Sequence, residues 1–366
     1  CDWSSDVCSS DLFQLSQYPN NGDANICGAG IALCLTGQTL LTKAAPNLSP
    51  VRNIETITVD PTGNSQTGVD DNAVSFWGPN TLTDGAQPNQ GGTGYQLFNT
   101  SGLTPETRNV YTFLTDAVAQ QDSTSGTVVD LTSSVNKVHF SNTAHITACR
   151  LGDSSACSGT VTMTAITRES RINWMRGGDM GNANCTDGTS TTCTTWRPWP
   201  HADEQHSKPA IVTYDSTPIN DPLDVPIPPA TAVRKIPALQ YIFYVQNNGL
   251  LTAVDTKNGQ EQWTFMVEEA LPQIQSMIND SAGPGIYVAD GTITTYVNDV
   301  NGDGIIGSGD QVYLYFGLRR GGRVFYAIDA SDPVKPQFLW KIDADNATPK
   351  ICFKNGACTS TGASKY

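Results

Sequence analysis

The sequence is poor in charge: Asp, Glu, Lys and Arg make up 15% of its 366 residues, against roughly 25% in an ordinary soluble domain. Positive charge is scarcest, with 21 Lys and Arg against 35 Asp and Glu and a formal net charge of −14. Neutralising a phosphate backbone takes clustered cations. Only Arg319, Arg320 and Arg323 crowd together, so a nucleic-acid partner is excluded. No apolar run approaches the roughly 18 residues of a spanning helix, and no membrane span is expected. Histidine is also rare. His139, His145, His201 and His206 are the whole supply, and no G-x-S-x-G, P-loop or dinucleotide fingerprint accompanies them. The reading is therefore of a protein that is not an enzyme.

What fills the gap is Thr, Ser and Asn together with 33 Gly and 21 Pro, a composition that favours strands and turns over long helices. The 38% of hydrophobic residues is enough for a core. The length allows one large β architecture or two domains. Both ends read as cut. Residues 1–12, CDWSSDVCSSDL, lack the pattern of a signal peptide and resemble translated sequencing adapter, so they are set aside as non-native. Tyr366 falls in a Gly/Ser/Thr-rich loop just after a strand pattern, which predicts further structure beyond it.

The ten cysteines fall into sequential close pairs: Cys1/Cys8, Cys27/Cys34, Cys149/Cys157, Cys185/Cys193 and Cys352/Cys358. CxxC knuckles are missing, which argues against zinc. Local disulfides stapling Gly/Ser/Asn-rich turns are the expected use, with reduced structural thiols the alternative. Disulfides would place the chain in the periplasm or outside the cell.

Along the chain, Ile54 to Val59 reads as a short strand. "AVSFWGPNTLTDGAQPNQGGTGYQL" reads as a Trp77-anchored strand followed by a long loop, whose Gly91 and Gly92 supply positive φ or close approach. "RNVYTFL" and "GTVVDLT" read as strands, although Asn109 to Gln121 fits a helix as well. In Ala165 to Arg176, Ile166, Ile172, Trp174 and Met175 fall at helical spacing before a Gly-Gly stop. Gly177 to Trp196 reads as a polar, disulfide-bearing loop. Residues 13–200 thus form a β-rich region with short helices and disulfide loops.

Residues 201–366 contain a weak internal repeat. "YIFYVQNNGLLTAVDTKNGQEQWTF" and "VYLYFGLRRGGRVFYAIDASDPVKPQFLWKI" share a plan of strand, turn, strand, turn, strand, with Ala253, Asp255 and Trp263 corresponding to Ala327, Asp329 and Trp340. Each unit can form three or four antiparallel strands with a face that needs a neighbour, which is the logic of a propeller blade. The fold class expected is all-β with minor α: a partial modified β-propeller preceded by the β-rich, disulfide-containing region.

The sharpest chemical signal lies between two strand patterns. Asp299, Asn301, Asp303, Gly304 and Asp310 match positions 1, 3, 5, 6 and 12 of the calcium-loop pattern. Calcium takes six to eight oxygens, so alternate side chains must turn inward while Gly304 permits the bend. The Ile305 carbonyl would supply position 7, water would serve at Gly307, and Asp310 would bind through one oxygen or two. The flanks are strands, so the loop lacks the helices of an EF-hand. The alternative is a bare Asn/Asp/Gly turn. In "RPWPHADEQHSKP", His201 and His206 could join Asp203 or Glu204 on a metal, but the prolines favour a structural connector.

Several segments together resemble the PilY/PilC family associated with the tip of type IV pili. They are "FWGPNTLTDG…GGTGYQL" with "RNVYTF", "RINWMRGGD", "RPWPHADEQHSKPAIVTYDS", "YVQNNGLLTAVDTKNGQEQW" and "VNDVNGDGIIGSGDQVYLYFGLRRGGRVFYAIDASDP", spanning about residues 75 to 345. The resemblance implies a C-terminal modified β-propeller and export through the periplasm to the cell surface. It also implies roles in pilus biogenesis, twitching motility and adhesion, with minor pilins and the pilus tip complex as partners and a host or abiotic surface as ligand. The family's calcium loop, linked to control of pilus extension and retraction, would map onto Asp299, Asn301, Asp303, Ile305 and Asp310. Ala202 stands where the family's "GD-x-x-HS-x-P" has Gly. The von Willebrand A-like domain of many members is not visible. The competing expectations are a quinoprotein dehydrogenase, which shares the Ala-x-Asp and Trp blade pattern, and a non-catalytic periplasmic scaffold.

Overall fold

The computed structural model describes residues 39–41, 55–59, 65–69, 77, 91–114, 129–139, 141–158, 165–186, 192–204, 206–222, 233, 235–279, 285–344, 350–353 and 358–360. They are mostly β with few helices. The chain divides into two compact units, one of Cys1–Asn99, Pro218–Ala238 and Lys257–Gly259, the other of Thr100–Thr217, Leu239–Thr256 and Gln260–Tyr366.

In the first unit, β1 (Thr39–Leu41), β2 (Glu55–Val59) and β3 (Ser65–Val69) form an antiparallel meander, so the strand read at Ile54 to Val59 is present as β2. The loop expected around Gly91 and Gly92 is different: a helix, α1, spans Gly92–Asn99. Gly and Thr are weak helix formers, but Thr93, Gly94 and Leu97 are buried, and packing overrides propensity. Gly92 does take a positive φ of 64° at the helix start. Trp77 is buried in a turn. Its carbonyl accepts a 2.6 Å bond from Gln96 Nε2, and its ring lies where a Cβ on Gly259 would come within 2.5 Å.

The second unit is built on two sheets. Its strands are β4 (Val110–Thr112), β5 (Val129–Asp130), β6 (Ala210–Asn220), β7 (Lys235–Val245), β8 (Leu250–Asp255), β9 (Glu261–Met266), β10 (Thr294–Asn298), β11 (Gln311–Gly317), β12 (Val324–Asp329), β13 (Gln337–Asp343), β14 (Lys350–Phe353) and β15 (Cys358–Ser360), except that the end of β6 from Pro218 and the start of β7 to Ala238 are counted with the first unit. The first sheet has the order β4-β9-β8-β7-β6; the second runs β10 to β15 in sequence, with β5 also on β13. "RNVYTF" is thus a strand at β4, pairing parallel to β9. Of "GTVVDLT", only Val129–Asp130 is described as strand, and residues 115–128 lie outside the described residues.

The internal repeat is visible down to its register. Across β7 and β8, Tyr241 faces Asp255 and Phe243 faces Ala253; across β11 and β12, Tyr313 faces Asp329 and Tyr315 faces Ala327. Ala253 then faces Trp263 and Ala327 faces Trp340, and in both sheets the register shifts immediately after that Ala. The same side-chain sequence thus produces the same bulge twice. The sheets pack through Phe265 edge-on to Tyr326, with centroids 5.5 Å apart. Trp263 Nε1 donates to Pro333 O at 2.8 Å and Tyr214 Oη to Ala330 O at 2.7 Å.

Helix α2 (Ser154–Cys157), α3 (Ala165–Met175), α4 (Ala183–Thr186) and α5 (Ile274–Asn279) complete the unit. Helix α3 matches the spacing read from Ala165 to Arg176, with Ile172 and Met175 buried. It stops at Gly177, whose φ is 106° and where a Cβ would strike the Trp196 ring. Just past it, Arg176 is fully buried and donates to the carbonyls of Pro105, Glu106, Arg108 and Val138 at 2.6–2.7 Å. Burial lowers its pKa to about 10. Disulfides join Cys149 to Cys157 and Cys185 to Cys193. Cys352 and Cys358 are register partners across β14 and β15, while Cys1, Cys8, Cys27 and Cys34 lie outside the described residues.

Candidate cation-binding loop

The loop from Asp299 to Asp310 joins β10 to β11, whose register closes at Asn298 opposite Gln311. Its polar side chains order the backbone between them. Asp299 accepts from Gly302 N through Oδ1 at 2.7 Å and from Gly304 N through Oδ2 at 2.8 Å. Asn301 Oδ1 accepts from Asp303 N at 3.2 Å, and its Nδ2 donates to Asp303 Oδ2 at 2.9 Å. Asp303 Oδ1 accepts from Ile305 N at 2.7 Å. Asp310 closes the loop, taking Val300 N on Oδ1 at 2.9 Å and Gly307 N on Oδ2 at 2.8 Å. Those two amides, Gly307 first, hold the Asp310 pKa below the usual carboxylate value. Gly302, Gly304 and Gly309 have φ of 70°, 77° and 100°, conformations that glycine adopts without strain.

One contact was not foreseen from the loop pattern. Ser216 N donates to Gly304 O at 3.0 Å, Ile306 N donates to Tyr214 O at 2.8 Å, and Asp215 and Ile305 form an antiparallel bridge. The loop carried by the second sheet is therefore stitched to β6, the edge strand of the first. A Cβ on Gly304 would collide with Ser216 Oγ, so close approach as well as backbone conformation calls for glycine. Nothing in the spacing of the Asp and Asn residues announces this.

The donors are all hard oxygens, the kind calcium prefers. Each ionised carboxylate oxygen offers two lone-pair sites, so an amide bond on one leaves the other for a cation. In the described residues, however, no group of three or more His, Cys, Asp or Glu side chains converges closely enough to hold a metal. The loop thus fits calcium in chemistry and sequence position, while its carboxylates are engaged with loop amides.

The histidine segment resolves into two separate networks. His201 Nε2 lies 2.8 Å from Tyr244 Oη and 3.5 Å from Glu204 Oε1. Burial lowers the His201 pKa to about 4 and raises that of Glu204 to about 8, so at neutral pH this is a contact of two neutral groups. Glu204 Oε1 has no hydrogen-bond partner. His206 Nδ1 meets the buried Asp290 Oδ1 at 2.8 Å. His201 and His206 do not share a site; His201 ties the connector to β7 through Tyr244, and His206 ties it to Asp290 in the irregular segment before β10. A third imidazole, His139, lies between Ser141 Oγ at 2.6 Å and Glu106 Oε1 at 2.5 Å. Burial holds it near pKa 4.

Fold and site together define a disulfide-stapled β protein whose repeated sheets are joined by an oxygen-rich loop. The chain is 29% identical over 117 residues to a type IV pilus biogenesis factor, a PilY1 homolog, of Xylella fastidiosa. The matched stretch is 32% of this chain and 9% of that relative, so the likeness is partial and reaches a type IV pilus protein through a small part of its length. No family model and no solved structure matches the chain. No helix of the described residues is long and apolar enough to cross a membrane, and the two disulfides fit an exported protein.

Proposed function

We propose that this protein is an exported, non-enzymatic component of the type IV pilus apparatus. In this reading it acts with minor pilins at the pilus tip in biogenesis, twitching motility and surface adhesion. The observation that carries the reading is the likeness to the pilus biogenesis factor. The repeated sheets serve as blades of a propeller, supported by the shared register and bulge. The loop binds calcium through Asp299, Asn301, Asp303, the Ile305 carbonyl and Asp310.

When bound, calcium supplies positive charge among three carboxylates that otherwise repel one another. The loop's own residues do the rest. Asp299 and Asp310 fix both ends of the loop by their amide bonds, and Gly304 to Ile306 hand that order to β6 through the bridge at Asp215. Occupancy would thereby set the rigidity of one edge of the tip protein and its resistance to retraction.

Calcium should raise the melting temperature and protect the loop amides from exchange, and a chelator should reverse both. A chain carrying Asp303→Ala and Asp310→Ala should lose the response. A wild-type melting curve indifferent to calcium would refute the cation reading. Unchanged twitching in a strain with the double substitution at normal protein level would refute the regulatory one.

A further inference from the structure

The seam between the two sheets holds more than apolar side chains. Trp263 of the first sheet is buried at it and donates to Pro333, whereas its counterpart Trp340 stacks on Tyr315 on the far face of the second sheet and is half-buried. Successive strand residues face opposite ways, so Lys341 points into the seam. It is 2% exposed. Its register partner on β12 is Tyr326, fully buried, and its Nζ lies 5.4 Å from the centre of that ring.

Two carboxylates reach the same nitrogen. A 3-10 turn, Glu268–Gln273, follows β9; Glu268 meets Lys341 Nζ through Oε2 at 2.9 Å, and Glu269 meets it through Oε1 in a closer contact still. Tyr326 orients the second of them. Its Oη accepts from Glu268 N at 3.2 Å and turns its own proton to Glu269 Oε2 at 2.6 Å. Burial, then the two glutamates, raise the Tyr326 pKa well above its usual value, so that proton stays. Arg150 Nη1 lies 3.5 Å from Glu268 Oε1, on the oxygen that the lysine does not use.

A lysine and a carboxylate in water stay a hydrated ion pair. Here one largely buried site brings together an amine, a carboxyl group whose oxygen a hydroxyl already holds, and a second carboxylate touching the nitrogen. Those are a nucleophile, an electrophile with its charge-stabilising donor, and a base. We infer that Lys341 and Glu269 condense to an isopeptide bond that joins the two sheets covalently. Burial presses the Lys341 pKa down and the two carboxylates more than offset it, so the resting nitrogen is an ammonium and Glu268 Oε2 first takes one of its protons. The amine attacks Glu269 Cδ, and negative charge gathers on Oε2 against Tyr326 Oη. The nitrogen gives up a second proton, the C–Oε1 bond breaks, and Oε1 leaves with both protons as water. Ammonium and carboxylate thus become amide and water, with no change of oxidation state. Fixed approach replaces a bimolecular encounter, and exclusion of bulk water slows the return by hydrolysis. The inference is independent of the pilus and calcium readings.

Intact-mass spectrometry of the reduced and alkylated protein tests it. The wild type should be one water lighter than its sequence mass, and proteolysis should give a branched fragment joining the Glu269 and Lys341 peptides. Lys341→Arg keeps the cation but has no amine to acylate, and Glu268→Gln keeps the contact but not the base; both should stand at full sequence mass. A wild-type protein at full sequence mass, with β13 protected from hydrogen exchange to show that it is folded, overturns the inference and leaves an ion cluster. A missing water that persists in Lys341→Arg, or that maps to any other pair, also overturns it. Undiminished loss of water in Glu268→Gln overturns the part given to Glu268.

Discussion

Buried ionisable side chains give this protein its most readable residue-scale behaviour. Between pH 4.5 and about 8 the folded chain keeps a proton on Glu204 that the unfolded chain releases, so its contribution to stability falls as pH rises through that window. His201 works the other way: from about 4 to 6.5 the unfolded chain binds the extra proton, and stability rises with pH. The two oppose up to pH 6.5, and Glu204 acts without that opposition above it. Glu204→Gln should therefore flatten the decline from pH 6.5 to 8, giving the variant a growing advantage in urea unfolding; an unaltered slope would contradict the assignment. Arg108 and Glu261 form a bidentate pair at 2.7 Å with side chains 1% and 3% exposed. Removing one partner, as in Glu261→Leu, should cost about 3–5 kcal/mol in chemical denaturation, and adding Arg108→Met should restore much of the loss. None of this was legible in the sequence. An Arg beside polar neighbours looks the same whether it ends in water or, like Arg176, among four carbonyls drawn from distant turns.

At the scale of elements, local chemistry was legible and long-range pairing was not. Helix α3 follows from apolar spacing and a glycine stop, and the strands β7 to β9 and β11 to β13 from alternation and turn residues. Helix α1 hid behind three glycines, because the burial that stabilises it is tertiary. The loop from Asp299 to Asp310 was readable as an ordered turn with a cation's donor set, yet its pairing with β6 joins residues some 90 apart by backbone bonds, which any side chains could make. Gly304 tests that pairing. Gly304→Ala should destabilise the chain by about 1–2 kcal/mol in thermal melting. Adding Ser216→Gly should recover the part due to collision and leave the part due to positive φ. Full recovery would mean that backbone conformation carries no cost there.

For the whole molecule, the repeat predicted two similar sheets and the structure gives them different neighbours. Trp263→Ala should cost about 3–5 kcal/mol, and Trp340→Ala in the 366-residue chain at most about 2 kcal/mol, as measured by denaturant midpoint; equal losses would contradict the difference in burial. The sequence order of the strands foretold β10 to β15 of the second sheet, where neighbours in the chain are neighbours in space, but not β5, which pairs with β13, nor β4, which joins the first sheet from far upstream. Thr112 Oγ1 donates to Met266 O across 154 residues of chain. A ribosome delivers β4 long before β9 exists to receive it. Until then β4 can pair only on its other side, where Tyr111 bridges Lys137, and closing so large a loop is slow. The late parallel pairing with β9 is accordingly expected to be the slow one to form, and a holding chaperone would act on the segment that waits.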